Sequence, residues 1–122
     1  MKPPDLERIA LEVVEAEKRK LPADIVRSLA PVQLRMMFRP DREMIEEGLD
    51  DLLGLFEGNS LLDGDPGTPD DFPRITLFLE NLWDEAEEDE GLFRKEVRTT
   101  WLHEIGHYLG WGEEEVEARG LG

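Results

Sequence analysis

Two histidines four residues apart in a helical stretch constrain this chain more than any other feature. His103 and His107 are its only histidines, and Glu104 directly follows the first of them. Residues four apart lie on one face of an α-helix, so both imidazoles can reach one Zn²⁺ ion. The intervening glutamate is then placed to deprotonate a water molecule that the metal activates. A pair of plain surface histidines is the alternative. We interpret His103 and His107 as metal ligands and Glu104 as the catalytic base.

The helix that carries these residues is predicted to run from Leu92 to Leu109. Gly91 is expected to break it from an acidic, helical connection over 81–90, and Gly110 to end it with a left-handed cap. Helical spacing gives this helix one apolar face and one face of metal-competent side chains, as a zinc site requires. The apolar face holds Val97, Trp101, Ile105, Tyr108 and Leu109, and the other face holds Glu96, Thr100, His103 and His107.

The rest of the chain predicts an α+β fold. Apolar residues at helical spacing alternate along the sequence with short period-two or β-branched runs that are typical of strands. The segment 41–51 could be a helical turn or an excursion. The predicted elements are helices over 5–20 and 21–29, strands over 32–38, 52–58 and 74–79, an irregular loop over 59–73 and a last helical turn or two over 113–119.

Length and charge narrow the possible functions. A chain of 122 residues is expected to form one domain, 1–122, with a core that needs no disulfide. The absence of cysteine excludes thiol catalysis and Cys-ligated zinc. With 30 acidic and 14 basic residues, the net charge of −16 repels nucleic acid and anionic membranes and attracts divalent cations and basic peptides. The charged N-terminus is atypical of a signal peptide or membrane anchor, so we expect a cytoplasmic protein.

Two histidines need a third protein ligand, because catalytic zinc usually has three plus water. The sequence continues for 15 residues after His107, so we expect this ligand close downstream or earlier in the chain. Gly110 tolerates positive φ and can turn the chain back toward the metal, and Glu113 stands three residues later. Glu113 is therefore the candidate third ligand, or else a solvated helix cap. Three other glutamates could replace it: Glu114, Glu115 and Glu117.

The stretch from His103 to Glu113 resembles the extended HExxHxxGxxD motif of Asp-type zincins, with glutamate in place of the aspartate. Three further segments have the same order and spacing as in the small bacterial mini-zincins, a family of zincin-like metallopeptidases. They are LLGLFEG at 52–58, FPRITLF at 72–78 and EVRTT at 96–100. The resemblance implies a minimal zincin scaffold, in which a small mixed β-sheet of about three strands is flanked by helices and the C-terminal lobe of larger peptidases is missing.

The resemblance also implies a function, a zinc-dependent metallopeptidase with one Zn²⁺ per chain and a peptide or protein substrate. Larger zincins bind substrate by backbone pairing to the strand beside the cleft, which here implies Gly54, Leu55, Phe56 and Glu57 as the substrate-binding edge. The glycines of this segment could equally serve a hairpin or bulge. The alternative function is a degenerate zincin that acts as a non-catalytic acidic metal-binding or protein-interaction module. No feature indicates an oligomeric state.

Three neighbours of the histidines are assigned supporting roles. Tyr108 follows His107 but points about 100° away on the helix, so we expect it to pack rather than to stabilise an oxyanion. Thr100 and Glu96 lie one and two turns before His103 and are candidates to orient the imidazoles, although each could be a plain surface residue.

Overall fold

The computed structural model describes residues 5–64, 67–111 and 114–115, and it has the predicted α+β architecture. Its elements are α1 (Leu6–Lys20), α2 (Ala23–Ser28), β1 (Gln33–Met37), α3 (Arg42–Glu46), β2 (Gly54–Glu57), β3 (Arg74–Phe78), α4 (Leu79–Glu85) and α5 (Glu90–Leu109). Two short 3-10 turns, Leu61–Asp63 and Pro69–Asp71, interrupt the loop between β2 and β3. None of the helices in these ranges combines the length and apolarity needed to cross a membrane.

The three strands form one mixed sheet in the order β1-β3-β2. β1 is parallel to β3, with Gln33 opposite Arg74, and β2 is antiparallel to β3, with Gly54 opposite Leu77. Central strand β3 is buried from Ile75 onward, as expected of its β-branched and aromatic residues. Within the part of the chain that the structure describes, β2 has no strand on its outer side. The expected mixed sheet of about three strands is confirmed, with β2 as an edge.

Helix α5 is the element on which the others pack. It contacts α1, α4, β2 and β3. Its predicted apolar face is buried, and the ring of Phe93 near its start meets Trp83 of α4 edge-on, with ring centroids 5.7 Å apart. At the other end the hydroxyl of Tyr108 donates to the backbone carbonyl of Ser28 at 2.9 Å, which ties α5 to α2. Tyr108 is therefore a packing residue, as its position on the helix predicts.

The start of α5 differs from the prediction. The helix begins at Glu90, and the side chain of Asp89 caps it by accepting from the Leu92 N–H at 2.8 Å. Gly91 thus lies in the first turn and does not break the chain. An N-cap of this kind contributes about 1 kcal/mol, which offsets the similar cost of glycine inside a helix. The break comes earlier, at Glu87 and Glu88, whose positive φ angles of 55° and 58° turn the chain out of α4.

Edge strand β2 is held in place from the side of α4. The amide nitrogen of Asn81 donates to the backbone carbonyls of Asp50 at 3.1 Å and Leu52 at 2.8 Å. The N–H of Phe78 donates to the carbonyl of Leu53 at 3.0 Å and extends the pairing with β3 by one residue. The chain therefore enters β2 along a fixed path, and the strand is presented to α5 in one position.

Candidate metal centre

The two histidines project from adjacent turns of α5. Their ring centroids lie 4.8 Å apart and their planes are inclined by 82°. Two imidazoles that each bind a tetrahedral Zn²⁺ through a nitrogen at about 2.0–2.1 Å have centroids about 5 Å apart. The side chain of His107 is about half exposed, so an ion has access to it. The separation of the two rings matches that of two ligands of one tetrahedral ion, and their role as ligands stays a prediction.

Glu104 lies beside this pair on the buried side of the helix. Only 7% of its surface is exposed, and its Oε1 is 3.7 Å from Nε2 of His107. Burial raises the pKa of the Glu104 carboxyl, and the charge of His103 opposes this with a smaller effect. A buried carboxyl with a raised pKa next to a pair of metal-competent imidazoles has the properties of a group that accepts and returns a proton.

Strand β2 runs closely alongside α5 on the Glu104 side. A Cβ atom on Gly54 would lie 2.6 Å from Cγ2 of Thr100 and 3.5 Å from Cγ of Glu104. Real Cβ atoms do not approach a methyl group to 2.6 Å, so only glycine permits this packing. Further along, the rings of Phe56 and Tyr108 meet at a centroid distance of 6.1 Å. The strand therefore follows the helix for two turns, past the carboxyl of Glu104.

The outer side of β2 presents backbone groups that β3 does not use. In an antiparallel ladder, alternate residues pair with the neighbouring strand while the others direct their N–H and C=O away from it. The hydrogen bond from the Phe78 N–H to the Leu53 carbonyl shows that Leu53 pairs with β3. Counting by alternation from Leu53, Leu55 and Glu57 also pair with β3. Gly54 and Phe56 belong to the outward set. The predicted substrate-binding residues, 54–57, coincide with the whole of β2, and two of them expose their main chain to the open edge.

The other two residues of β2 face away from the helix. Side chains alternate between the faces of a sheet, so Leu55 and Glu57 project opposite to Gly54 and Phe56. Their backbone groups pair with β3, and Oε2 of Glu57 accepts from the guanidinium of Arg74 at 3.4 Å. The structure thus brings Gly54 and Phe56 to the histidine helix and turns Leu55 and Glu57 away from it.

The end of α5 follows the prediction as far as it is described. Gly110 adopts the left-handed conformation with φ 76°. Predicted ligand Glu113 and its substitute Glu117 lie outside the described residues, and Glu114 and Glu115 are exposed. Within the described ranges no group of three His, Cys, Asp or Glu side chains is arranged to hold a metal ion. The third ligand therefore stays a prediction.

A pair of leucines near Gly110 belongs to the surroundings of the site and was not predicted. A Cβ on Gly110 would lie 2.5 Å from Cδ1 of Leu62, so the 3-10 turn at 61–63 rests on the end of α5. The turn falls inside the segment 59–73, which was predicted to be an irregular loop. Its one sequence signal is the adjacent pair of large apolar residues, Leu61 and Leu62, in a segment rich in Asp, Gly and Pro.

Comparison with known families agrees with the geometry. A family model described as zincin-like metallopeptidase matches residues 29–122, which include the whole sheet, α5 and both histidines. The chain belongs to the zincin-like metallopeptidase family. A search of curated proteins finds no match to this zincin-like chain. Membership confirms the resemblance of the chain to the zincin-like metallopeptidases and makes peptide hydrolysis the class of activity to test.

The tight contact at Gly54 predicts the outcome of a paired substitution in this zincin-like chain. Gly54→Ala should lower the free energy of unfolding by about 1–3 kcal/mol, because the new Cβ collides with Cγ2 of Thr100. Thr100→Ser removes that methyl group, so the double variant should recover much of the loss in denaturant unfolding. Gly67→Ala is the control, since its Cβ would be no closer than 3.8 Å to Asp71 Oδ2. Strictly additive effects of the two substitutions would contradict the contact.

The buried carboxyl predicts a pH-dependent effect on stability in the metal-free protein. Folding raises the pKa of Glu104, so its contribution is complete below the ordinary pKa of glutamate and is lost as the pH rises through the raised value. Glu104→Gln removes this loss and should melt at a higher temperature than the unsubstituted chain at neutral pH. The difference should shrink in mildly acidic buffer. Melting curves in chelator test this, with exposed Glu114→Gln as the control. A difference that does not vary with pH would contradict it.

Proposed function

We propose that this chain is a zinc-dependent metallopeptidase, with His103 and His107 as metal ligands and Glu104 as the general base. The observation that carries the proposal is the combination of two same-facing imidazoles with a buried carboxyl beside them, next to an open strand edge. Membership of the zincin-like metallopeptidase family supports the class of reaction. A pair of unrelated surface histidines would not account for the burial of Glu104 or for the close approach of β2.

The donor set suits zinc. Imidazole nitrogens and carboxylate oxygens are the usual protein ligands of catalytic zinc, and Glu113 is proposed as the third ligand alongside the two histidines. When bound, Zn²⁺ supplies Lewis-acid activation of a water molecule and of the substrate carbonyl. The packed face of α5 fixes the backbone from which both imidazoles project, so the ligands need little rearrangement.

Glu104 moves the proton in this proposal. Its carboxylate accepts a proton from the attacking water and passes it to the leaving amine, as a general base and then a general acid. Burial raises the pKa of Glu104, which makes its carboxylate a stronger base for the first transfer. The charge of a bound cation favours the ionised form from which that transfer starts. The side chain is buried, and β2 lies beside its stem at Gly54.

Strand β2 would hold the substrate. An extended peptide can add to a free strand edge through main-chain hydrogen bonds, and the outward N–H and C=O groups of Gly54 and Phe56 are available for this. Because Gly54 lies against Glu104, a peptide on this edge passes directly beside the base. Main-chain recognition of this kind selects extended peptides. Any preference for particular substrate side chains would come from residues near this strand edge and the histidines.

Substitution of Glu104 should separate zinc binding from hydrolysis. Glu104→Gln removes the base but no ligand, so zinc should remain at one ion per chain while peptide cleavage falls by at least ~10²-fold. His103→Ala and His107→Ala should lose both. Metal analysis, calorimetric zinc titration and cleavage of a peptide mixture measure these outcomes.

Three results of that comparison would count against the proposal. Zinc binding no tighter than about millimolar, or about −4 kcal/mol, would exclude a zinc enzyme. Undiminished cleavage by Glu104→Gln would assign the hydrolysis to a contaminant or to another base. Tight zinc binding without cleavage of any peptide would favour the non-catalytic metal-binding module.

The third ligand is tested by comparing neighbouring glutamates. Glu113→Ala should weaken zinc binding by at least ~100-fold, because loss of even an outer-shell partner costs roughly 10–100-fold. Glu114→Ala and Glu115→Ala, at exposed neighbouring positions, are the matched controls and should bind zinc normally. Glu113→Asp restores the aspartate of the family motif and should retain binding. Equal affinities of the three alanine variants would remove Glu113 from the ligand set.

A further inference from the structure

Two leucines are held exposed near the C-terminal end of α5. Leu62 is 77% exposed and Leu61 is 44% exposed, although leucine is usually buried in folded proteins. The turn that carries them is closed by its own hydrogen bonds. The N–H of Ser60 donates to Oδ2 of Asp63 at 2.8 Å, and the Ser60 hydroxyl donates to the same oxygen at 3.1 Å. Such a capped turn fixes the backbone that presents both leucines to solvent.

The turn lies where the edge strand and the histidine helix both end. β2 finishes at Glu57, three residues before Ser60, and Leu62 rests against Gly110 at the end of α5. Gly110 is three residues beyond His107, a rise of about 4.5 Å along the helix axis. An extended peptide advances about 3.3 Å per residue. A side chain within about three residues of a bond cleaved at the histidines would therefore reach the leucines.

The charge around the turn limits which side chains suit it. From residue 43 to residue 93 the chain has one basic residue, Arg74, against a long series of acidic ones. The guanidinium of Arg74 is bonded to Glu57. The acidic surplus disfavours an acidic substrate side chain and attracts basic ones along the whole chain. The leucines themselves offer no hydrogen-bond or charge partner to a polar or charged side chain. An apolar side chain loses water-exposed surface on contact with them, which is favourable.

We propose that Leu61 and Leu62 form an apolar subsite that selects peptides with a large apolar side chain within about three residues of the scissile bond. This inference rests on the proposed peptidase function and names its substrate class. A second copy of the chain is a poor occupant for the same surface. The two leucines are a small part of the roughly 800 Å² that a stable interface buries on each partner.

The test uses short peptides of Ala, Ser and Lys in which a single Leu is moved through the sequence. With the zinc-loaded protein, one Leu position relative to the cut should raise kcat/KM about tenfold over the all-polar peptide, as expected for one apolar side chain in a pocket. Leu62→Ser and Leu61→Ser should each remove most of this advantage and leave cleavage of the polar peptide unchanged. Thermal melting verifies that both variants fold.

The matched control is Leu92→Ser. Leu92 is 47% exposed, like Leu61, but lies at the opposite end of α5, so its loss should affect neither peptide. Binding is measured separately from cleavage by fluorescence anisotropy of the same peptides on zinc-loaded Glu104→Gln protein. The Leu peptide should bind about tenfold tighter than the polar one, and Leu62→Ser should abolish the difference.

The outcomes distinguish failure of the subsite from failure of the peptidase. Cleavage of Leu and polar peptides at equal rates would keep the peptidase and overturn the subsite. Tighter binding of the Leu peptide without cleavage of either would overturn the peptidase and keep the apolar site. Discrimination that survives in both Leu61→Ser and Leu62→Ser would overturn the assignment of these residues. A change of oligomeric mass in Leu62→Ser, seen by sedimentation, would assign the leucines to contact between copies and also overturn it.

Discussion

The close packing of Gly54 in β2 against Thr100 and Glu104 on α5 is the contact on which the candidate site depends. Without a side chain at position 54, the edge strand lies close to Thr100 and to the stem of Glu104, which is a buried residue. That burial is the main cause of the raised pKa of Glu104. The same approach places the outward main chain of β2 beside the carboxyl. The glycine thus sets how closely the strand proposed to bind a peptide approaches the residue proposed as the base.

Helix α5 can serve the site because its two faces have different neighbours. Phe93 and Tyr108 fix its ends to α4 and α2, and its apolar face is buried in the core. The histidines project from the opposite face, so they are positioned by a helix that the whole core holds in place. Sites built on rigid elements keep their ligands in position without help from loops. In this small protein, the core and the support of the site are the same residues.

Much of this arrangement could be predicted from the sequence because it depends on local periodicity. The spacing of His103 and His107, the apolar face of α5 and the alternation in β1 each follow from the geometry of a single element. The break between α4 and α5 was predicted at Gly91 but lies at Glu87 and Glu88, because positive φ is unusual for glutamate and no local pattern predicts it there. The contact of Gly54 with Thr100 joins residues 46 positions apart, and no local pattern encodes such a distance. The position of Leu62 on Gly110 was missed for the same reason.

The arrangement around Glu104 also connects metal binding to stability. In the metal-free protein this carboxyl is buried, and the burial disfavours its ionised form. A cation held by His103 and His107 would reverse the local balance, since its charge favours the carboxylate. Part of the free energy of metal binding would then appear as stability of the fold. Burial of this carboxyl lowers the stability of the metal-free fold. A sequence selected for stability alone would have a neutral side chain at this position, so the buried carboxyl indicates a functional role.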